Sequence, residues 1–139
     1  MLRRVTIAVI FGAMSVSTAM GADWPAYHAD ARRSGYTSES VTGLLKLAWS
    51  LKLPHAPTPA WSRNGRIRYD DVFQPVIAGG RVYFGDHVEG MLHAVDLKTG
   101  KIKWRFQTNG PIRCAPAVWK ETVIVASDDG RIYSLQASD

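Results

Sequence analysis

The sequence contains a single cysteine, Cys114, among its 139 residues. One cysteine cannot form a disulfide within the chain, so packing and hydrogen bonds have to stabilise the fold. Cys114 precedes Ala115 and Pro116 at the start of a predicted strand. We expect it to be a small buried apolar residue rather than a reactive thiol.

A strong excess of charge of one sign is also absent. The 17 Lys and Arg residues outnumber the 12 Asp and Glu residues, and the formal net charge is +5. No run of five or more basic residues occurs. The sequence therefore lacks the electrostatic pattern of a nucleic-acid-binding protein, and we expect no nucleic-acid partner.

Long hydrophobic runs are missing as well. The N-terminal apolar stretch Val5–Met14 is too short to span a bilayer, which takes about 20 residues. It follows two arginines and precedes Ala19–Gly21, whose small residues suit cleavage before Ala22. We predict a signal peptide over residues 1–21, cleaved near Gly21, and a periplasmic or secreted mature chain without a membrane span. An uncleaved membrane anchor is the alternative.

Motifs of enzymatic chemistry are absent. The sequence has no G-x-S-x-G, no G-x-G-x-x-G and no phosphate-binding loop. Of the four histidines, His87 and His93 flank the Glu89–Gly90 loop and could share a metal ion, but solvent-facing positions are the favoured interpretation. Asp128–Gly130 lacks the later acidic ligands of a calcium loop and is interpreted as a turn. The residues therefore predict no catalytic, cofactor-binding or metal-binding site.

What the sequence does contain is a series of short alternating strands. No helical period over three turns occurs after residue 44. Glycine-containing turns are predicted at Gly79–Gly80 and Lys98–Gly100. The strands of one unit are predicted at Gln74–Ile77, Arg81–Gly85, Met91–Asp96 and Lys101–Gln107.

This unit recurs along the chain. Val82 aligns with Val123, 41 residues on, and Leu92 aligns with Ile132, 40 residues on. A partial upstream copy, Lys46–Leu51, matches Lys101–Phe106 at a spacing of 55 and predicts a further strand. A period of about 40 residues with four short strands is typical of a β-propeller blade.

One turn of the repeat carries a recognisable pattern. The pattern A-x-D-x-x-T-G-K-x-x-W is formed by Ala94, Asp96, Thr99, Gly100, Lys101 and Trp104. It resembles the repeat of the pyrroloquinoline-quinone-type (PQQ-like) β-propellers, as do the segments starting at Ala22 and at Asp128. Without the family, Gly100 suits a left-handed turn, and Asp96 and Thr99 can bind backbone N–H groups. The resemblance implies that Trp104 docks on the neighbouring blade.

The expected fold is all-β: a partial β-propeller of about two four-stranded antiparallel blades in residues 22–139, preceded by the signal peptide. Propellers typically close with 4–8 blades. We therefore expect a fragment of a longer propeller, or a protomer that associates with other copies. The expected partners are the remaining blades or another protein.

An irregular insertion, Pro54–Asp71, offers the most distinctive surface. Its Trp61, Arg63 and Arg66 could stack on a flat anionic ligand or bind a carboxylate. The alternative is a plain connection between blades.

Three functions are compatible with the sequence. The favoured one is an exported scaffold for binding or assembly, without enzymatic activity. The second, implied by the resemblance alone, is the N-terminal part of a quinone-dependent alcohol or sugar dehydrogenase, which would need pyrroloquinoline quinone and calcium. The third is a carbohydrate-binding propeller that uses Trp61 and Trp119 as platforms.

Overall fold

The computed structural model describes residues 21–57 and 72–138, and these residues form strands and turns without a helix. Residues 1–20 of the predicted signal peptide and most of the Pro54–Asp71 insertion, including Trp61, Arg63 and Arg66, lie outside the described residues. The strands are β1 Val76–Ala78, β2 Arg81–Gly85, β3 Met91–Asp96, β4 Ile102–Gln107, β5 Ala117–Trp119, β6 Thr122–Ala126 and β7 Ile132–Gln136.

The seven strands form two antiparallel sheets. The first contains β1 to β4 and the second β5 to β7, and in both sheets each strand pairs with the next along the chain. The all-β fold class is confirmed, and the two sheets agree with one complete blade followed by three strands of a second.

Tight turns explain why the two sheets repeat each other. Gly79 and Gly80 join β1 to β2 with positive φ angles of 55° and 73°, as the two-residue turns that match strand twist require. The corresponding turn of the second sheet is formed by Lys120 and Glu121, where Lys120 takes a φ of 54° without being glycine. The same hairpin therefore forms from different turn residues.

The core lies between the two sheets. Tyr83 and Leu92 of the first sheet form one buried cluster with Val123 and Val125 of the second, joined by Ile112 from the connecting loop. Alternate residues of β4 and β7 are exposed, whereas four consecutive residues of β3 are buried. Strand β3 is therefore covered on both faces.

The N-terminal segment spans both sheets. Trp24 exchanges two backbone hydrogen bonds with Ile77 of β1, at 2.7 and 2.9 Å. The N–H of Val118 in β5 donates to the carbonyl of the next residue, Pro25 (2.7 Å). This segment therefore joins the first strands of the two sheets.

Two predictions from the sequence are wrong. Lys46–Leu51 is not a strand of either sheet, because no described residue forms a ladder with it and a strand is defined by its pairing. Cys114 is exposed; it lies in the loop between the sheets, ahead of the strand that would have buried it.

Candidate functional site

The turn of the repeat motif is held by one carboxylate. Oδ1 of Asp96 accepts hydrogen bonds from the N–H of Lys98 (3.1 Å), the N–H of Thr99 (2.9 Å) and the hydroxyl of Thr99 (2.9 Å). The hydroxyl and N–H of Thr99, with a smaller contribution from Lys103, lower the pKa of Asp96 to about 2. The carboxylate therefore stabilises the turn in its charged form.

Trp104 connects the two sheets. Its Nε1–H donates to the carbonyl of Ala137 at 3.1 Å, and its ring packs on Tyr83 with 5.8 Å between centroids. The side chains of Arg81 (2.8 Å) and Tyr83 (3.4 Å) donate to the same carbonyl. In this structure, Trp104 docks on the next repeat, as the resemblance implies.

Trp49 makes the same contact one repeat earlier. Its Nε1–H donates to the carbonyl of Leu97 at 2.9 Å. Leu97 precedes Ala137 by 40 residues, and Trp49 precedes Trp104 by 55, as the repeat alignment requires. Lys46–Leu51 therefore lies against the first sheet as β4 lies against the second, although it is not part of a sheet.

Glycine is required at position 100 both by the backbone conformation and by the side chain that packs against it. Its φ is +69°, and a Cβ atom placed there would lie 2.6 Å from the Trp49 ring. No side chain fits that distance. Ala94, opposite Trp104 in the β3–β4 register, is fully buried. The motif residues that the sequence singled out thus lie at contacts that connect one repeat to the next.

An apolar groove lies elsewhere, between residues 49–57 and the first sheet, and has a volume of about 540 Å³. Its walls are almost entirely apolar and include Trp49, Leu51, Leu53, Pro54, Phe73, Val82 and Phe84, whereas Lys52 and His55 add positive or polar groups. The sequence did not predict this groove, because its walls come from two separate segments, residues 49–57 and 73–84.

Three polar side chains are buried beside the groove. Asp86, His87 and His93 are 1%, 3% and 2% exposed. Within the described residues, Oδ2 of Asp86, Nδ1 of His87 and both ring nitrogens of His93 have no hydrogen-bond partner. The expectation that His87 and His93 face solvent is therefore wrong, since strand β3 and the first residues of the loop before it are covered.

Aromatic rings connect His87 and His93 to the groove. His93 stacks on Phe84 with 4.9 Å between ring centroids, and Phe73 contacts the rings of Phe84 (5.6 Å) and His87 (5.7 Å). Phe73 and Phe84 also line the groove. The floor of the groove is therefore an aromatic layer with imidazole rings packed against it.

Burial also affects the protonation of His93. Burial, assisted by the positive charge of Arg105, lowers the pKa of His93 below 6.5, while Asp86 and Glu89 act in the opposite direction. His93 is therefore neutral at pH 7.

The described residues do not fit the calcium ion that the dehydrogenase alternative needs. They contain no group of three or more His, Cys, Asp or Glu side chains that could hold a metal ion. Calcium takes 6–8 oxygen ligands, and the buried side chains of Asp86, His87 and His93 do not form a group that could supply them.

Trp119 is exposed, but a lysine lies over one face of its ring. Its side chain is 67% exposed, and Nζ of Lys120 lies 4.3 Å from the ring centroid. The chain's own lysine therefore lies over part of the surface on which a sugar ring would stack. Trp61, the other predicted platform, lies outside the described residues.

Comparison with known proteins places the chain in a family. The family described as outer membrane protein assembly factor BamB, a PQQ-like repeat family, matches residues 46–139, which include all seven strands. A search of curated proteins found no match. In the part of the chain that the structure describes, no helix has the length and hydropathy to cross a membrane. The chain belongs to the PQQ-like repeat family described as outer membrane protein assembly factor BamB.

Proposed function

We propose that this chain is a non-enzymatic scaffold in outer membrane protein assembly, and that its apolar groove binds an extended segment of an outer membrane protein before that protein folds. The groove is the observation that carries the proposal, because it is an apolar concavity on a chain whose family description names this process. At about 540 Å³ it lies within the usual size range of binding pockets.

The chemistry of the groove suits such an occupant. Strands of outer membrane barrels alternate apolar and polar residues over about ten positions. The apolar side chains of one such segment can enter between Leu53 and Phe84, while the polar ones face solvent. Lys52, at the groove, favours a segment that carries an acidic residue beside its apolar ones.

Neutral His93 supports this interpretation. A charged imidazolium against Phe84 would oppose burial of apolar side chains in the groove, whereas the neutral ring packs like an aromatic residue. We expect binding to stay constant as the pH falls through 6.5 and to weaken only at a lower pH, because the lowered pKa of His93 keeps the ring neutral until then.

Peptide binding tests the proposal. A labelled ten-residue peptide with alternating aromatic and polar residues and one Glu is titrated with the purified chain, and anisotropy is recorded. A shuffled peptide of the same composition, without alternation, serves as the ligand control. We expect the alternating peptide to bind at least about tenfold more tightly, which corresponds to 1.4 kcal/mol.

A matched pair of variants locates the binding site. Leu53→Glu introduces a charge into the groove, whereas Val41→Glu introduces the same charge at a position that is 78% exposed and outside it. We expect Leu53→Glu to weaken binding about tenfold or more, because a charge opposes apolar burial. Equal affinity of the two variants, or of the two peptides, would overturn the proposal.

We also propose export to the periplasm, supported by the predicted signal peptide and by the outer membrane in the family description. Fractionation of expressing cells tests it: recovery of the shortened chain in the osmotic-shock fluid is expected, and retention of the full-length chain in the cytoplasm would contradict it.

The dehydrogenase and carbohydrate alternatives stay predictions. Adding pyrroloquinoline quinone and calcium tests the first: a visible absorbance shift together with dye-linked oxidation of alcohol or glucose would favour it over the scaffold. Binding to a glycan array would favour the second, and Trp119→Ala would abolish that binding.

A further inference from the structure

A second cavity lies ahead of β1 and β5, between the N-terminal segment and the residues that precede these two strands. It has a volume of about 370 Å³, which is within the usual range for small-molecule pockets. We call it the N-terminal pocket, and its walls include Trp24, Tyr27, His28, Gln74, Pro75 and Ala115. Of these residues Pro75 also lines the apolar groove and the others do not, so the two concavities are separate surfaces.

The loop that forms one wall of this pocket has an unusual backbone conformation. His28, Ala29 and Arg33 have positive φ angles of 59°, 75° and 55°, although none of them is glycine. Residues with side chains seldom adopt this conformation. Where several do so close together, a functional site is a common reason.

Hydrogen bonds within the loop fix that conformation. The N–H of Gly35 donates to the carbonyl of His28 (2.9 Å), and the carboxylate of Asp30 accepts from the N–H (3.0 Å) and the hydroxyl (2.8 Å) of Ser34. The rings of Tyr27 and His28 pack edge to face, with 4.2 Å between their centroids. Tyr27 nevertheless stays 50% exposed, so the loop presents aromatic surface at the pocket in a fixed arrangement.

The polar groups of the pocket are neutral and have unused hydrogen-bonding capacity. Oε1 of Gln74 accepts from the N–H of Ala115 (3.0 Å), which fixes the amide group. Among the described residues, the side-chain amide nitrogen of Gln74, the indole N–H of Trp24, the hydroxyl of Tyr27 and the ring nitrogens of His28 have no hydrogen-bond partner. A bound molecule can therefore both accept and donate hydrogen bonds here.

The chemistry of the walls restricts the class of ligand. No Asp, Glu, Lys or Arg is among the residues that line the pocket. An ionised ligand would lose water without gaining an opposite charge, which is costly. A sugar ring suits the walls better, because its C–H face packs on aromatic rings while the hydroxyl groups at its edge form hydrogen bonds with amide, imidazole and phenol groups.

We propose that the N-terminal pocket binds one or two units of a neutral saccharide. The aromatic rings of Trp24 and Tyr27 contact the apolar face of the sugar, and the side-chain NH2 group of Gln74 donates to one of its hydroxyl oxygens. This inference goes beyond the proposed function and uses a different surface. It also differs from the carbohydrate alternative, whose predicted platforms are Trp61 and Trp119.

Calorimetric titration with neutral disaccharides tests the proposal. Maltose, cellobiose and diacetylchitobiose are each titrated into the purified chain up to about 10 mM, and we expect at least one of them to bind with a Kd of about 1 mM or lower. A disaccharide that carries a glucuronate should bind at least about tenfold more weakly than that probe, because its charge has no partner in the pocket. Failure of all three neutral probes to bind, or tighter binding of the glucuronate, would overturn the proposal.

A matched pair of tyrosine variants locates the sugar. Tyr27→Ala removes a ring from the wall, whereas Tyr36→Ala removes a ring that is 71% exposed and does not line the pocket. Both side chains are exposed, so both variants should keep the circular dichroism spectrum of the wild type. We expect Tyr27→Ala to weaken binding about tenfold and Tyr36→Ala to change it by less than about twofold. Equal affinities of the two variants would contradict the assignment.

Gln74→Glu tests the hydrogen bond separately from the fold. The carboxylate keeps an oxygen that accepts from the N–H of Ala115, but the NH2 group that would donate to the sugar is lost. We expect an unchanged melting temperature and about fivefold weaker binding. Binding as tight as that of the wild type would overturn the proposed contact.

Two further variants separate this site from the other surfaces. Leu53→Glu, in the groove, and Trp119→Ala, on the exposed platform, should leave disaccharide binding unchanged, because neither residue lines the pocket. Loss of binding in Trp119→Ala would place the sugar on that tryptophan instead and refute the proposal. Failure of the peptide test with Leu53→Glu leaves the sugar test intact, so the two proposals fail independently.

A proline-rich peptide is the other occupant that an aromatic pocket can take. A labelled ten-residue proline-rich peptide is therefore titrated with the wild type and with Tyr27→Ala. We expect no binding to either chain. Peptide binding that Tyr27→Ala abolishes and that the disaccharides do not displace would show that the pocket takes a peptide, and the saccharide proposal would be wrong.

Discussion

Two glycines with the same backbone conformation should respond very differently to the same substitution. Gly100 and Gly130 both lie in turns between strands, with φ angles of +69° and +80°. A Cβ at Gly130 would meet nothing within 4 Å, whereas one at Gly100 would lie 2.6 Å from the Trp49 ring. Comparing Gly100→Ala with Gly130→Ala therefore separates backbone strain from the docking of Trp49.

The expected magnitudes follow from these contacts. The left-handed conformation costs alanine about 1–2 kcal/mol relative to glycine at either position. At Gly100 the ring of Trp49 must also move away, which removes its hydrogen bond to Leu97, about 0.5–1.5 kcal/mol. Part of the burial of this half-buried indole is lost too, about 1 kcal/mol. We expect the free energy of unfolding to fall by about 3–4 kcal/mol in Gly100→Ala and by about 1–2 kcal/mol in Gly130→Ala.

A double-mutant cycle isolates the contact. Unfolding in urea is followed by far-ultraviolet circular dichroism at one fixed protein concentration, because association changes apparent stability. In a Trp49→Ala background, Gly100→Ala should cost no more than Gly130→Ala, which gives a coupling of about 2 kcal/mol between Gly100 and Trp49. Equal costs of the two glycine substitutions in the wild type, or an excess that survives removal of Trp49, would refute the reasoning.

Three further predictions concern single side chains. Trp104→Phe should lower the free energy of unfolding by about 1 kcal/mol, because the hydrogen bond is lost. The exposed control Trp119→Phe should change it by less than about 0.5 kcal/mol. Equal effects of the two substitutions in urea unfolding would contradict this prediction. Because the pKa of Asp96 falls from 3.8 to about 2 on folding, its contribution is fully present above pH 3.8 and is lost as the pH falls through about 2. Thermal unfolding of Asp96→Asn should lack that acid-dependent decline, and an unchanged decline would argue against the role of the carboxylate. His93→Phe removes two buried nitrogens without partners, so the free energy of unfolding at pH 7 should be unchanged or higher. The loss of stability as the pH falls below 6.5 should be smaller in this variant. A strongly destabilised variant would contradict this prediction.

Sequence patterns located the strands well where turns delimit them. The bounds of β2 and β3 were predicted to the residue, because glycine-containing turns end the alternating segments on either side. Strand β1 was predicted at Gln74–Ile77 and is observed at Val76–Ala78. The turn at Gly79–Gly80 sets the β1–β2 register, and pairing rather than apolar character decides where a short strand begins.

Burial was harder to predict than strand position. His93 lies in an alternating strand and was expected to face solvent, but the strand is covered on both faces. Cys114 was expected to be buried, but it lies in the loop between the sheets. Whether a strand or loop is covered depends on how the sheets pack together, and local alternation carries no information about that packing.

The apolar groove had no local signature either. Its walls combine Trp49 to Pro57 with residues 73 to 84, segments that come together only after the first sheet forms. The turn motif could be singled out from the sequence because its residues lie close together along the chain and its tryptophan recurs as Trp49 in the partial upstream copy.

The carbonyl of Ala137 receives three side-chain donors, all from the first sheet. A carbonyl oxygen has two lone pairs, so one of these donors is redundant. This contact between the two sheets therefore tolerates mutation. Loss of either Arg81 or Tyr83 leaves the oxygen with two donors, whereas loss of both together with Trp104 would leave it without a side-chain donor. Either Arg81 or Tyr83 can therefore be replaced on its own, and the effects of combined changes will exceed the sum of the single ones.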